Sequence, residues 1–316
     1  MTDKKRILVT GANGQLGQVL TETLRTKYGA ERVLATDIQK LNDGQQQFEF
    51  LDILNKHRLY EIVNDYQITE VYHLAAILSA SGEWNIKKTW DINLNGLLTM
   101  LSMFNKLGLD KLFFPSTIAV FGNTTPRVDT AQDVPMLPET VYGMSKVTGE
   151  MWCNYYNQRY DVDVRSVRYP GIIGHQSMPG GGTTDYAVEI YHEALKTGSY
   201  ECFLSENTRL PMMYMDDAIR ATTELMQADK GDIKIRSSYN LAAVSFTPAE
   251  VAESIRKYIP DFKITYKPDF RQKIAESWTE SIDDQHARKD WKWKHEYDLD
   301  KITETMLSAL KPRYSK

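Results

Sequence analysis

The residues with the clearest chemical potential are a tyrosine and a lysine four positions apart in the stretch VYGMSK. Tyr142 and Lys146 would lie on the same face of a helix at this spacing. Because an ammonium group beside a phenol favours the phenolate, we expect the pKa of Tyr142 to fall from about 10 toward neutrality. A tyrosine of this kind can accept a proton at neutral pH.

A hydroxyl group that could work with this pair follows a predicted strand in FFPSTIAVFG. The side chain of Ser116 or Thr117 would stand at the carboxyl end of the fifth strand, where α/β sheets bind ligands. A hydroxyl, a phenolate and a cation would then surround one reacting group.

A dinucleotide site is predicted by LVTGANGQLGQVL, which places three glycines between a buried strand and a helix: Gly11, Gly14 and Gly17. The first would allow a tight turn, the second a close approach to pyrophosphate, and the third close packing of helix on strand. Asp37 ends the next strand, where a carboxylate accepts hydrogen bonds from the ribose hydroxyls and repels a 2′-phosphate. This favours NAD over NADP, although Lys40 nearby could tolerate a phosphate. Asp52, after the third strand, could accept from the adenine amino group or cap a helix.

The elements that must position these groups alternate between short apolar runs and helical patterns, as in βαβ units. Strands are predicted at RILVT, RVLATD, FEF, EVYHLA, KLFFPS and DVRSVRY, with SSYNLA near 238–242 returning to the same sheet. This order predicts an α/β fold built on a doubly wound parallel Rossmann sheet. We expect an NAD-binding domain at 1–170 and a smaller, partly interleaved α/β substrate domain at 171–316.

Composition excludes several other classes of protein. The 316 residues include 38 basic and 42 acidic ones, a net charge of -4 that favours neither nucleic acid nor a membrane surface as partner. Two distant cysteines, Cys153 and Cys202, fit a reducing cytoplasm, and we expect no leader or membrane-spanning segment. The chemistry needs no metal, and the histidines His73, His175 and His192 lack ligand spacing.

Two helical segments, near 84–107 and 140–160, are apolar on several faces, with Trp84, Trp90 and Trp152 among their side chains. Helices that are apolar beyond one stripe bury a second side. We expect that side to form a homodimer contact rather than an internal one.

In chain order, the motifs resemble those of the extended, epimerase/dehydratase-like short-chain dehydrogenase/reductase family: TGxxGxxG, the strand-end aspartate, HLAA, the strand-five hydroxyl, YxxxK and RYPGI. The resemblance covers the whole chain. It implies that Tyr142 is the acid–base group, that Lys146 holds the nicotinamide ribose, and that Thr117 replaces the commoner catalytic serine. Further cofactor contacts are implied for the residues around these motifs: Asn13, Gln15, Leu16, Ile53, Leu74, Ala75, Ala76, Asn93, Tyr169 and Pro170.

A second glycine-rich stretch, PGGGTTDYAVEIY, together with LAAILSASGE and LPMMYMDDAIRAT, resembles the threonine-oxidising branch of that family. The resemblance implies oxidation of the L-threonine C3 hydroxyl by NAD to 2-amino-3-ketobutyrate. Gly180 to Gly182 would let the backbone approach a small zwitterion, while Ser79, Thr183 and Thr184 supply neutral hydroxyls. The site would then comprise these groups with Ser116, Thr117 and Tyr142.

Two other functions stay open. A nucleotide-sugar epimerase or dehydratase shares the Tyr/Lys pair but would need basic groups for a diphosphate, of which Arg209 could be one. A non-catalytic NAD-binding regulator would have no use for a tuned phenol. The glycine-rich stretch could also be an interdomain hinge in which a threonine caps the next helix.

Overall fold

The computed structural model describes residues 5–39, 47–178 and 180–315. Lys40 and Pro179, named in the sequence argument, lie outside these ranges. The strands are β1 Ile7–Thr10, β2 Val33–Asp37, β3 Phe48–Phe50, β4 Glu70–His73, β5 Lys111–Thr117, β6 Val164–Tyr169, β7 Gly171–Ile173, β8 Ser199–Cys202, β9 Leu210–Tyr214, β10 Tyr239–Asn240, β11 Val244–Phe246 and β12 Lys263–Tyr266. The α-helices are α1 Gln15–Tyr28, α2 Lys56–Asp65, α3 Ser79–Gly82, α4 Ile86–Trp90, α5 Gly96–Leu107, α6 Val141–Tyr160, α7 Tyr186–Lys196, α8 Met215–Gln227, α9 Pro248–Arg256, α10 Phe270–Glu276, α11 Gln285–Trp291 and α12 Leu299–Tyr314.

The central sheet has seven strands in the order β10-β6-β5-β4-β1-β2-β3, and every pairing in it is parallel. Every residue of its inner strands β1, β4 and β6 is buried, because helices cover both faces of the sheet. On one face, Leu8 and Leu112 pack with side chains of α2, α5 and α6. On the other, Val9 and Phe113 pack with α1, α8 and α11. The predicted doubly wound α/β fold is confirmed.

The carboxyl ends of four neighbouring strands bring the predicted chemistry to one edge of the sheet. Register pairs Thr10 of β1 with His73 of β4, and Thr117 of β5 with Tyr169 of β6. The glycine turn, the segment after β4, the β5 hydroxyls and the segment after β6 therefore leave the sheet side by side.

The second half of the chain contributes to two cores. A three-stranded sheet, β11-β9-β7, and the parallel pair β12-β8 pack with α7, α9 and α12. In contrast, α8 and α11 pack beneath the large sheet, and β10 extends it beside β6. The division of the chain at 170/171 remains a prediction.

The helical segment at 84–107 is not one regular helix. A π-helical turn at Asp91–Asn95 separates α4 from α5, and six of the twelve residues of α5 are buried. Exposed apolar side chains are instead concentrated at Trp84 and along α6, at Met144, Met151, Trp152 and Tyr155. Across the described ranges, no helix combines the length and apolar character needed to cross a membrane.

Candidate active site

A cavity of about 270 Å³ opens where the strand ends meet the start of α7. It joins the glycine turn to the segments around Tyr142, Thr117 and Trp278. Its wall includes these predicted site residues: Gly11, Gly14, Gln15, Leu16, Gly17, Leu74, Ala76, Ser79, Ser116, Thr117, Tyr142, Lys146, Tyr169, Pro170, Gly182, Thr183 and Thr184. Groups far apart in the sequence therefore share one space.

The glycine turn forms a cradle that side chains would fill. Gly11 has a φ of 68°, and a Cβ there would lie 2.7 Å from the backbone N of Ala75. A Cβ on Gly17 would lie 2.2 Å from the carbonyl oxygen of Gly11, far inside contact distance. Helix α1 begins after Gly14 with neither a side-chain cap nor an acidic residue in its first turn. Its amide groups and dipole are thus left for an anion, and the turn fits a dinucleotide pyrophosphate.

Asp37 lies beside this cradle rather than in the cavity wall. Its Oδ2 accepts a hydrogen bond from the backbone N of Asn13 at 3.0 Å, so the carboxylate holds the turn. The buried Oδ1 of Asn13 has no hydrogen-bond partner in the described structure. This unsatisfied acceptor next to a strand-end carboxylate fits a polar ligand such as an adenosine ribose.

Six predicted cofactor residues are not among those that line the cavity: Asn13, Asp37, Asp52, Ile53, Ala75 and Asn93. Asp52 is exposed, and its Oδ1 accepts from the backbone N of Leu54 at 2.9 Å. It does not cap α2, since Asn55 does so. Ile53 is 4% exposed and belongs to the core beneath the sheet.

Asn93 clamps the chain segment that follows β4. Its side-chain amide exchanges two hydrogen bonds with the backbone of Ile77, at 2.8 and 3.0 Å, and donates to Ser145 Oγ at 3.3 Å. Asn93 is therefore a buried amide bonded mainly to backbone, and the cofactor contact implied for it stays a prediction. Through these bonds it fixes the segment that carries Leu74 and Ala76 against α6, next to Lys146.

The three predicted catalytic groups converge on the first turns of α6. Thr140 caps this helix by accepting from the backbone N of Gly143 at 3.0 Å. Thr117 Oγ1 accepts from the backbone N of Ala119 at 3.2 Å, and Thr117 and Tyr142 line the same cavity. Lys146 Nζ lies 5.7 Å from the centre of the Tyr142 ring and donates to the carbonyl oxygen of Pro115 at 2.7 Å.

The expected fall in the pKa of Tyr142 is wrong for this structure. Burial raises the pKa of Tyr142 to about 12, and only the side chain of Thr117 acts to lower it. Lys146 does not offset the burial, because burial also lowers its own pKa to about 7, against the opposing effects of Cys153 and Glu150. Two desolvated groups each disfavour their charged form, so spacing alone does not produce a phenolate.

The substrate contact predicted for Ser116 stays a prediction. Ser116 lies at the cavity wall, but its hydroxyl donates to Oε1 of the buried Glu150 at 2.5 Å. Thr117 is left as the hydroxyl facing Tyr142. The sequence left the choice between these two residues open because both lie at the end of the same strand.

The second glycine loop is folded around a carboxylate of its own. Asp185 Oδ2 accepts from the backbone N of Gly181 at 2.8 Å and from that of Gly182 at 2.7 Å. The N–H groups of Gly181 and Gly182 are therefore bonded within the loop, and the approach of this backbone to a substrate stays a prediction. The predicted hydroxyls do meet, since Ser79 Oγ lies 3.5 Å from Thr183 Oγ1.

The side chain of Tyr169, at the end of β6, packs mainly within the core of the protein. The ring of Tyr169 packs on Phe113 below the sheet, and its hydroxyl bonds to Thr222. Several cavity residues were not predicted, among them Leu78, Ile172, Asp185 and Trp278. Asp185 directly follows the GGGTT stretch, which was a usable signal, whereas nothing local marks Trp278.

The basic and histidine candidates lie elsewhere. Arg209 Nη2 pairs with Glu250 at 2.5 Å and Nη1 donates to the carbonyl oxygen of Ser245, so Arg209 does not line the cavity. The three histidines bond to hydroxyl groups: His73 to Thr10, His175 to Tyr214 and His192 to Tyr314.

A dinucleotide cradle opening onto a Thr/Tyr/Lys group at the edge of a doubly wound sheet defines a nicotinamide-dependent enzyme class. The model of the NAD dependent epimerase/dehydratase family matches residues 7–242, and the chain belongs to this family. NAD is accordingly its cofactor.

The chain is also similar to several proteins named for threonine oxidation. It is 46% identical over 310 residues to "L-threonine 3-dehydrogenase, mitochondrial" of Bos taurus, covering 97% of this chain and 83% of that one. The holo GalE-like L-threonine dehydrogenase from Cupriavidus necator superposes with a TM-score of 0.94 at 48% identity, covering 96% of this chain and 99% of that one. A monomeric L-threonine 3-dehydrogenase from a metagenome database, in its apo form, gives 0.95 at 47% identity, covering 98% and 100%.

Proposed function

We propose that this enzyme oxidises the C3 hydroxyl of L-threonine with NAD, giving 2-amino-3-ketobutyrate, and that Tyr142 is the general base. The observation that carries the proposal is the composition of the cavity wall. The Thr117–Tyr142 pair and the neutral hydroxyls of Ser79, Thr183 and Thr184 lie around one small cavity, next to the dinucleotide cradle. The likeness to threonine dehydrogenases supports the same substrate.

Tyr142, Thr117 and Lys146 would each have a separate role in the reaction. Tyr142, as phenolate, takes the proton of the substrate C3 hydroxyl, and the C3–O bond becomes a carbonyl. Thr117 stabilises the phenolate. Its hydroxyl oxygen accepts from the backbone N of Ala119, and its O–H is still able to donate to the phenolate. NAD would be held by the glycine cradle and would supply the acceptor for the hydride that leaves C3. Lys146 would bind the nicotinamide ribose, and its Nζ is oriented by the hydrogen bond that it donates to the carbonyl oxygen of Pro115.

A nucleotide-sugar substrate fits less well. A diphosphate needs basic side chains, and Arg209 is engaged elsewhere. Among the described residues of the cavity wall, Lys146 is the only basic one. A non-catalytic NAD-binding role would not explain why Thr117, Tyr142 and Lys146 line one cavity.

The proposal extends to assembly and compartment. A homodimer through α6 and the 84–107 segment would cover Met151, Trp152 and the other exposed apolar side chains there. Because the similar enzyme from a metagenome database is described as monomeric, the oligomeric state of this chain has to be measured. Sedimentation velocity on the native chain and on Met151→Asp tests the dimer.

The free, buried Cys153 and Cys202 fit a reducing cytoplasm, although the bovine relative is named as mitochondrial. Imaging of the tagged protein in its host cell tests the compartment.

A substrate panel followed by the absorbance of NADH tests the function. L-Threonine should reduce NAD rapidly, L-serine poorly and D-threonine hardly at all, with the ketone product confirmed by mass spectrometry. Thr183→Val and Thr184→Val test the hydroxyls separately, and at least one should lower kcat/KM by roughly tenfold, because a buried polar group is left unpaired. Turnover of UDP-galactose with threonine ignored would establish the epimerase function instead.

A further inference from the structure

The cavity wall carries few charged side chains, and they lie on different walls. Within the part of the chain that the structure describes, Asp185 is the one carboxylate that lines the cavity and Lys146 the one ammonium. Lys146 is already bound to the carbonyl of Pro115, beneath Tyr142. The negative charge of Asp185 stands on a different wall, on the loop that carries Thr183 and Thr184.

The carboxylate of Asp185 is held in a fixed position. One oxygen, Oδ2, accepts from both Gly181 and Gly182, and the backbone of Gly180 also bonds to the carboxylate. A carboxylate offers about four acceptor positions, so this arrangement leaves capacity for a further donor. The glycines thus orient an acceptor toward the cavity instead of forming an anion site themselves.

The negative charge of Asp185 is only partly compensated. Burial raises its pKa in spite of the three backbone hydrogen bonds, which shows that desolvation outweighs them. The nearby cation, Arg271, is shared: its Nη2 lies 2.7 Å from Asp269, and its guanidinium lies over the Phe203 ring. A cation that enters the cavity would therefore lie near the desolvated and incompletely paired carboxylate of Asp185. The electrostatic attraction between two such charges is strong.

We propose that Asp185 supplies the counter-charge for the α-ammonium group of the substrate and so selects amino acids over hydroxy acids. This rests on the proposed function, because the ammonium group is that of threonine. The hydroxyls of Ser79, Thr183 and Thr184 then face the substrate carboxylate, and Thr117 and Tyr142 face its C3 hydroxyl. The glycine triplet and the aspartate that follows it act as one recognition unit.

Calorimetric binding to the NAD-loaded protein at pH 8 tests the inference with two partial substrates. L-2-Aminobutyrate keeps the ammonium and lacks the hydroxyl, whereas (3R)-3-hydroxybutyrate keeps the hydroxyl and lacks the ammonium. Asp185→Asn retains an oxygen that can accept the glycine N–H groups but loses the charge. The expected result is at least about tenfold weaker binding of L-2-aminobutyrate, with (3R)-3-hydroxybutyrate bound as well as before or more tightly.

Two further variants separate recognition from folding. Asp185→Glu keeps the charge and should keep the preference for L-2-aminobutyrate, while Asp185→Ala should weaken both ligands by also releasing the loop. Unfolding curves for all three variants establish that each is folded. Equal losses for both ligands in Asp185→Asn, or no loss for either, would overturn the inference while wild-type threonine oxidation stands. A wild-type chain that does not oxidise threonine would remove the proposed function and the inference together.

Discussion

Glu150 and Arg168 form a buried ion pair directly behind the candidate catalytic groups, with Oε2 of the glutamate 2.8 Å from Nη2 of the arginine. Ser116 donates to the other carboxylate oxygen, and Arg168 also donates to Asn240 Oδ1 at 2.9 Å. The network joins α6, β5, β6 and β10. It fixes the helix of Tyr142 and Lys146 against the strand that carries Thr117.

Breaking this pair should be costly. Arg168→Met leaves the Glu150 carboxylate buried without its partner, and the free energy of unfolding should fall by about 3–5 kcal/mol in urea titrations. Replacing both residues, as Glu150→Leu with Arg168→Met, should cost less than the sum of the two single changes. The matched control is Lys257→Met in the exposed pair with Asp300, where a loss of about 1 kcal/mol or less is expected. Equal effects at the buried and exposed pairs would contradict this account.

Gly17→Ala tests the close contact in the dinucleotide cradle. The added Cβ would lie 2.2 Å from a backbone oxygen that cannot move away cheaply, so stability should fall by about 1–3 kcal/mol and NAD affinity should drop. Gly231→Ala is the control, since a Cβ there meets nothing within 4 Å. Thermal unfolding and NAD titration measure both effects. An alanine at position 17 that is tolerated as well as one at 231 would show that the helix is not packed as described.

Asp37→Ala should weaken NAD binding by roughly tenfold and narrow the preference for NAD over NADP, because the ribose loses an acceptor and the 2′-phosphate loses a repelling charge. The substitution also frees the backbone N of Asn13. Initial rates with each cofactor measure the preference. A wild-type enzyme that already favours NADP would disprove the role assigned to Asp37.

His73 should make the fold sensitive to acid. Burial lowers its pKa to about 3, so the folded state resists a proton that the unfolded chain takes up below about pH 6.5. Since the unfolded state binds more protons between those values, this contribution to stability is lost as pH falls, by about 1.4 kcal/mol per pH unit. His73→Gln should flatten the slope of unfolding free energy against pH in this window, and the exposed His57→Gln should not. Identical slopes for the two variants would argue against a buried neutral imidazole.

How much the sequence predicts depends on how local the determining pattern is. Gly11, Gly14 and Gly17 could be assigned because a strand, a turn and a helix lie within one short stretch. The fold could be predicted because short strand patterns alternate with helical patterns, as in βαβ units. Trp278 was missed, since only tertiary packing brings it to a loop about a hundred residues earlier.

The electrostatics were the least predictable part of the site. The spacing of Tyr142 and Lys146 was interpreted as lowering the pKa of the phenol, but it contained no information about burial, which dominates both groups. The contacts of Asp185 could not be predicted either, because a sequence does not show whether glycine N–H groups bond to a ligand or to a nearby carboxylate.

The direct test of the central claim compares wild type with Tyr142→Phe for L-threonine-dependent formation of NADH between pH 7 and 10. The account predicts a wild-type rate that rises with pH, because the pKa of Tyr142 lies above its usual value, and a variant at least about a hundredfold slower with nearly unchanged NAD affinity. Wild-type turnover in Tyr142→Phe, or no threonine-dependent NADH from the wild type, would contradict it.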